Sequence, residues 1–270
     1  MSVHITGGSL GFALGPLVFA PFAERYGLRW TPLLMIPALA ALALLLRRVP
    51  RIDRLQERHE VGEFRALRPY AKPLTLLWLI VVLRTLAAMS FATFMPVMLT
   101  RQGMSIGQAG VAVGAYLLAS SAGGFLGGPL ADRWGARNVI MWSLALSVPF
   151  LATAPMLTGW AFVTVVSAGG FLLQSTLPVN VTFAQIIAPI SAATVSSLML
   201  GFAFGTSGVS VPFVGMLADR VGIERTLAIL AFSPLVAAAL AWPLPAGQFV
   251  HTAARAADVA TETMGTDVAD

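Results

Sequence analysis

The feature that most confines this chain is a succession of eight apolar stretches. They lie near residues 3–23, 30–46, 74–99, 106–130, 138–156, 160–187, 191–217 and 225–244. Between them stand breaks with turn chemistry, among them Glu24-Arg25-Tyr26-Gly27, Arg101-Gln102-Gly103, Asp132-Arg133-Trp134-Gly135 and Asp219-Arg220-Val221-Gly222. A helix needs about 20 apolar residues to cross a bilayer. The stretches are too long and too rich in Leu and Ala for barrel strands, so helices are the remaining way to satisfy backbone groups in lipid. The expected fold class is an all-α membrane protein with about eight transmembrane helices.

Composition excludes the alternatives. Hydrophobic residues make up 57% of the chain and charged residues 11%, where a soluble domain carries roughly 25% charged residues. Disorder is excluded by the same balance. Cysteine is absent and the histidines are His4, His59 and His251, so disulfides, thiolate metal sites and cysteine nucleophiles are ruled out, and neither metal nor cofactor is expected. No Ser/His/Asp, paired-carboxylate or metal-spacing cluster falls inside the stretches, so the chain does not read as an enzyme. The net charge of +5 does not point to nucleic acid, because eight of the 17 basic residues crowd into residues 47–72. The first residues carry neither a basic n-region nor a cleavage site and do not read as a signal peptide. The apolar run opens almost at Met1, as expected of a chain cut into a longer one.

The charged segment divides the chain. Residues 1–47 hold two helices, 48–72 a solvated linker, 73–245 six helices and 246–270 a tail expected to be disordered. Ile52, Leu55, Phe64 and Leu67 would form the apolar side of a short surface helix in the linker. Counting Lys and Arg on alternate sides gives 11 on the linker side and 5 on the other. The positive-inside rule then puts the linker and both termini in the cytoplasm of a multi-pass protein of the cell inner (plasma) membrane.

The break after the fourth stretch reads Gly127-Gly128-Pro129-Leu130-Ala131-Asp132-Arg133-Trp134-Gly135-Ala136-Arg137. Asp132 there can cap the N-terminus of a neighbouring helix, where the dipole favours an anion, or the string can be a charged turn. The whole string resembles the loop signature of the major facilitator superfamily, carried here by Gly128, Asp132, Arg133, Gly135 and Arg137. The resemblance implies a transporter of twelve helices in two halves. This chain would supply helices 5 to 12: the last two of the N-terminal half and a complete C-terminal half. An internal echo agrees with that register. Leu10-Gly11-Phe12-Ala13-Leu14-Gly15 returns as Leu200-Gly201-Phe202-Ala203-Phe204-Gly205, and Ala23-Glu24-Arg25-Tyr26-Gly27 as Ala218-Asp219-Arg220-Val221-Gly222.

Gly7, Gly11 and Gly15 recur every four residues and are read as a close-packing helix face. Followed by Pro16, they are similar to the family's antiporter motif, although Ser2 and Phe19-Ala20 replace its other glycines. Among family members the chain looks most like the fosmidomycin-resistance group of drug exporters. That resemblance implies a small-molecule substrate, an anionic drug being one candidate, with the proton as coupling ion and the lipid bilayer as surroundings.

Arg84 is the one ionisable side chain deep inside a stretch. A charge at mid-membrane costs about 2.5–3.5 kcal/mol on insertion scales, so it should face a cavity or a buried partner, the other reading being a side chain that snorkels. The sixth stretch carries Gln174, Ser175, Thr176, Asn180, Thr182 and Gln185 around Pro178. This stripe reads either as a substrate path, with Arg84, Gln174, Asn180 and Gln185 its candidate residues, or as helix–helix hydrogen bonding. All 12 acids lie outside the stretch interiors. Two functions remain: a secondary transporter exporting drugs or small molecules by proton antiport, or a non-transporting membrane remnant or interaction protein.

Overall fold

The computed structural model describes residues 2–48, 67–188 and 192–245. Regular structure among them is entirely helical. Helix α1 spans Ser2–Tyr26 and α2 spans Met35–Arg48, joined by the 3-10 segment Leu28–Leu34. After the linker follow α3 (Ala71–Arg101), α4 (Ile106–Trp134), α5 (Ala136–Thr153) and α6 (Gly159–Ile187). The last two are α7 (Ala192–Val221) and α8 (Ile223–Ala241). A π-helical stretch, Leu198–Phe202, interrupts α7 within the second copy of the internal echo.

Six of these, α3 to α8 with their short flanking turns, are long and apolar enough to cross a membrane. They coincide with the last six expected spans. Of the first two, α1 has the length expected of a span, 25 residues. The second expected span divides into a 3-10 and an α segment, and its apolar part, Leu28–Leu44, is shorter than the others. Pro32 lies in the 3-10 segment and has no N–H to continue an α ladder. The expected surface helix of the linker, apart from Leu67, and the expected disordered tail lie outside the described residues.

Three of the helix ends share one construction. The strings Ala23-Glu24-Arg25-Tyr26-Gly27, Ala131-Asp132-Arg133-Trp134-Gly135 and Ala218-Asp219-Arg220-Val221-Gly222 close α1, α4 and α7. In each, the glycine N–H donates to the carbonyl of the alanine four residues back, at 2.9, 2.8 and 2.9 Å. Gly135 then turns out of the helix at φ 84°, ψ 141°, a region reached almost only by glycine. The recurring motif is therefore, at minimum, a helix terminator.

In the bundle α6 is central and α7 peripheral: 61% of the most apolar stretch of α6 is buried against 22% for α7. α6 packs on α3, α4 and α5; α3 also packs on α7 and α8, and α8 closes against α5. Trp142, Trp160 and Phe213 point outward, as suits an exterior that faces lipid. The two helices before the linker attach differently. α1 lies along α4, and the packing neighbour of α2 is the 3-10 segment.

Glycines decide how closely α4 is approached. A Cβ added at Gly123 or Gly127 would strike the backbone carbonyl of Phe171 or Ser175 on α6. On another side of α4, a Cβ at Gly107, Gly110 or Gly114 would strike Glu24, Ala20 or Leu17 on α1. Small residues permit such approach where lipid supplies no hydrophobic drive between helices.

Candidate substrate-path site

Two glycines set the site's central side chain. Gly123 and Gly127 bring α4 against the α6 backbone at Phe171 and Ser175. Gln174 lies between those two contacts, and its side chain passes beside Gly124, the nearest atom 3.6 Å from where a Cβ there would lie. One turn earlier on α6, Gly170 makes room for the ring of Tyr116 and the hydroxyl of Ser120 from α4.

Arg84 of α3 reaches this seam. Its side chain is 1% exposed, and its Nη2 donates to Gln174 Oε1 at 2.6 Å. Nε and Nη1 have no protein partner. The expectation of a buried contact rather than a snorkelling side chain is therefore met for Arg84. Its one hydrogen-bond partner is neutral, and no salt-bridging acid accompanies it among the described residues. One turn along α3, the Ala88 carbonyl accepts from the Tyr116 hydroxyl at 3.3 Å. Arg84, Gln174, Tyr116 and Ser120 thus converge from α3, α6 and α4. The guanidinium keeps two buried nitrogens without an acceptor among the described residues. Chemically, the arrangement can hold a group with oxygen acceptors, above all an anionic one, since guanidinium matches carboxylate and phosphonate oxygens in a bidentate fork.

The remaining polar residues of α6 separate. Ser175 and Thr176 donate to the carbonyls of Leu172 and Leu173 at 2.7 and 2.8 Å. Gln185 Nε2 donates to Ser196 Oγ on α7 at 2.7 Å, so its amide ties two helices. Asn180 is fully buried, with both amide atoms unpartnered. At 100° and 1.5 Å per residue it lies about 9 Å beyond Gln174 on a different face of α6. Thr182 is exposed. An apolar depression of about 440 Å³ lies elsewhere, between α4, α5 and α6, lined by Ala119, Leu146, Phe150, Ser167, Ala168, Phe171 and Leu172. None of the four candidate path residues lines it.

The loop signature also divides. Gly128 is half-buried, Asp132 and Arg133 are exposed at the end of α4, and Gly135 makes the turn. Arg137 stacks its guanidinium over the Trp242 ring at 5.5 Å, tying the start of α5 to the end of α8. Asp132 makes no hydrogen bond or ion pair among the described residues. An inter-helix cap of the kind considered for Asp132 is made by Glu24: its carboxylate accepts from the Gly107 N–H at 2.7 Å and the Ser105 hydroxyl at 3.2 Å, at the N-terminus of α4. The expectation that glycines of α1 seat a neighbour is not met among the described residues. Gly11 and Gly15 have open space where a Cβ would stand, because the face turned to α4 carries Ala13, Leu17 and Ala20 instead. Pro16 is at that seam, its carbonyl 3.1 Å from a Cβ position at Gly110. Gly7 lies outside the residues whose packing is described. No group of three His, Cys, Asp or Glu residues able to hold a metal occurs among the described residues.

Sequence reading missed Tyr116, Ser120 and Glu24. For Tyr116 a signal was present, since of the three tyrosines only this one falls inside a span.

The fold and buried cation define a multi-span helical membrane protein with a polar centre. Comparison with known proteins narrows the class. Residues 77–189 match the family model of the Major Facilitator Superfamily. The chain is 30% identical over 246 residues to the fosmidomycin resistance protein of Escherichia coli K12, an alignment covering 87% of this chain and 60% of that protein. It is 37% identical over 145 residues to the uncharacterised MFS-type transporter YfnC of Bacillus subtilis 168, covering 54% of this chain and 35% of that one. In fold it resembles the Major Facilitator Superfamily transporter FucP in its outward conformation, with a TM-score of 0.61 at 17% identity, over 78% of this chain and 53% of FucP. A second structure of FucP, the E. coli fucose:proton symporter, gives a TM-score of 0.60. In sequence and in fold the chain is similar to transporters of the Major Facilitator Superfamily. It spans about 60% of the length of the first of these relatives and 35% of the second.

Proposed function

We propose that the protein carrying this chain is a secondary transporter that exports small molecules by proton antiport. The observation that carries this reading is Arg84: a guanidinium buried among span helices, held by one neutral amide, with donors left over. An unbalanced buried charge is costly, and such a charge in a membrane protein marks a path for a substrate or a partner charge. An anionic substrate group, or a carboxylate from another part of the protein, would complete it. The likeness to a fosmidomycin resistance protein supports a drug as cargo, and phosphonates of the fosmidomycin type are anions that would fit a guanidinium fork. Arg84 and Gln174 are the proposed substrate contacts. Asn180, buried and unpartnered, is a proposed further contact, and Gln185 is proposed to shape the path by fixing α6 to α7.

The proposed setting is the inner (plasma) membrane, with the 48–72 linker and both termini in the cytoplasm, the two helices before the linker belonging to one half of the transporter and residues 73–245 forming the other. Transport, not catalysis, is the proposed activity. The test is uptake of a radiolabelled phosphonate into inverted membrane vesicles containing the full-length protein. Uptake that rises when the vesicle interior is made acidic, and collapses with a protonophore, is the expected result. Uptake unaffected by the pH gradient would refute proton antiport.

A further inference from the structure

Nothing in the proposed substrate path accounts for Glu24. It ends α1, and its carboxylate sits on the first turn of α4, accepting from the Gly107 N–H at 2.7 Å and the Ser105 hydroxyl at 3.2 Å. Ser105 is itself the N-cap of α4: its Oγ accepts from the Gln108 N–H at 3.2 Å, and Gln108 Oε1 accepts from the Ser105 N–H at 3.0 Å. The serine hydroxyl has one proton to give, and it is turned to Glu24. The carboxylate therefore adds a second, inter-helix layer to a complete capping box, at the end of α4 where the dipole favours an anion. Gly107 makes room for it, since a Cβ there would overlap the carboxylate.

The rest of the α1–α4 seam is apolar: Ala20 against Gly110 and Leu17 against Gly114. Among the described residues no other hydrogen bond joins the two helices. α4 is also the helix that carries the segment before the linker, because α2 packs on the 3-10 segment. Glu24 is exposed, so water can replace its partners at little cost, as a reversible contact requires.

We propose that Glu24 is a latch. Its carboxylate clasps the N-terminus of α4 and holds the segment before the linker against the six-helix half at this end of the molecule, and it parts when the two halves separate there during transport. The proposal rests on the transporter reading above. The chain contains no cysteine, so within it introduced thiols are the only labelling sites, and any cysteine elsewhere in the full-length protein is first replaced by serine. Spin labels on Tyr26→Cys and Ile106→Cys, both exposed, report the separation of the latched ends. A control pair on Trp142→Cys and Trp160→Cys, also exposed, lies wholly within the six-helix half. Distances are measured on the full-length protein in lipid nanodiscs without substrate, and phosphonate export by each variant is assayed separately.

Glu24→Ala and Glu24→Gln are expected to raise the long-distance population of the first pair roughly twofold to fivefold, the range a charge–dipole contact spans. Glu24→Asp, which keeps the charge, should lie closer to the unaltered protein. The control pair should not move. An unchanged first pair in Glu24→Ala, or a control pair that moves equally, overturns the latch. A shifted first pair with unchanged export overturns its part in the cycle. Export by the protein with Glu24 intact decides the transporter reading independently of all three.

Discussion

Helix α4 meets a neighbour closely along two seams, and they differ in what the glycines touch. Toward α6, Gly123 and Gly127 face backbone carbonyls. Toward α1, Gly107 and Gly114 face a carboxylate and a leucine side chain, while Gly110 faces the Ala20 methyl group and the Pro16 carbonyl. A backbone carbonyl, like an alanine Cβ fixed to its backbone, cannot yield without moving its helix, whereas the longer side chains of Glu24 and Leu17 can rotate or withdraw. The α4–α6 seam is thus rigid and aims Gln174 at Arg84, while the α1–α4 seam can adjust. The proposed transport activity would use both: a fixed site and a contact that gives way.

The largest effect is expected on the rigid seam. Gly127→Ala drives a methyl group into the Ser175 carbonyl, and overpacking of this kind costs about 1–3 kcal/mol or more. It should lower the thermal stability of the purified protein and separate Gln174 from Arg84. Retention of full stability would mean that α4 and α6 are less close than described. Gly114→Ala sharpens the comparison from the other side. Its added methyl meets the Leu17 side chain of α1, which can turn aside. We expect a smaller stability loss, under about 1 kcal/mol; thermal unfolding beside Gly127→Ala gives the ranking, and a reversed order would break the distinction between the seams.

The smallest effect is expected at Asp132. Glu24 and Asp132 are acids at opposite ends of the same helix. Glu24 lies at the positive end of the α4 dipole and Asp132, exposed and without a described partner, in its last turn. Asp132→Asn should therefore leave stability within about 0.5 kcal/mol, and can raise it by a few tenths, since an acid at a helix C-terminus is unfavourable. A loss of more than about 1 kcal/mol in thermal unfolding would show that Asp132 has a partner, as the motif resemblance implies.

Six spans and the helix ends at Gly27, Gly135 and Gly222 were legible because hydropathy and glycine's access to positive φ act locally. Arg84 was legible as a site because one charge in a long apolar helix has few explanations. Its partner was not singled out. Gln174 stood in a polar stripe with Asn180 and Gln185, and only the three-dimensional crossing of α4 with α6 separates the residue that meets Arg84 from the one that binds Ser196. The glycine pattern of α1 is a related case. A run at four-residue spacing in α1 marks a smooth face, but Gly11 and Gly15 have nothing against them among the described residues, and the glycines that seat α1 belong to α4. Spacing names a face without naming its partner. Glu24 was overlooked because its motif resembles a weaker copy of the Asp132 string, while its position at the end of α1 puts it beside the right helix terminus.

The central claim is that the Arg84 guanidinium is the functional charge of the path. The measurement is export of a phosphonate by the full-length protein carrying Arg84→Ala or Arg84→Lys, with membrane protein level determined in parallel. Lysine keeps the charge and loses the planar fork. The account predicts that Arg84→Lys weakens export and Arg84→Ala nearly abolishes it while expression persists. Unchanged export by Arg84→Ala would contradict the account and leave Arg84 a packing residue.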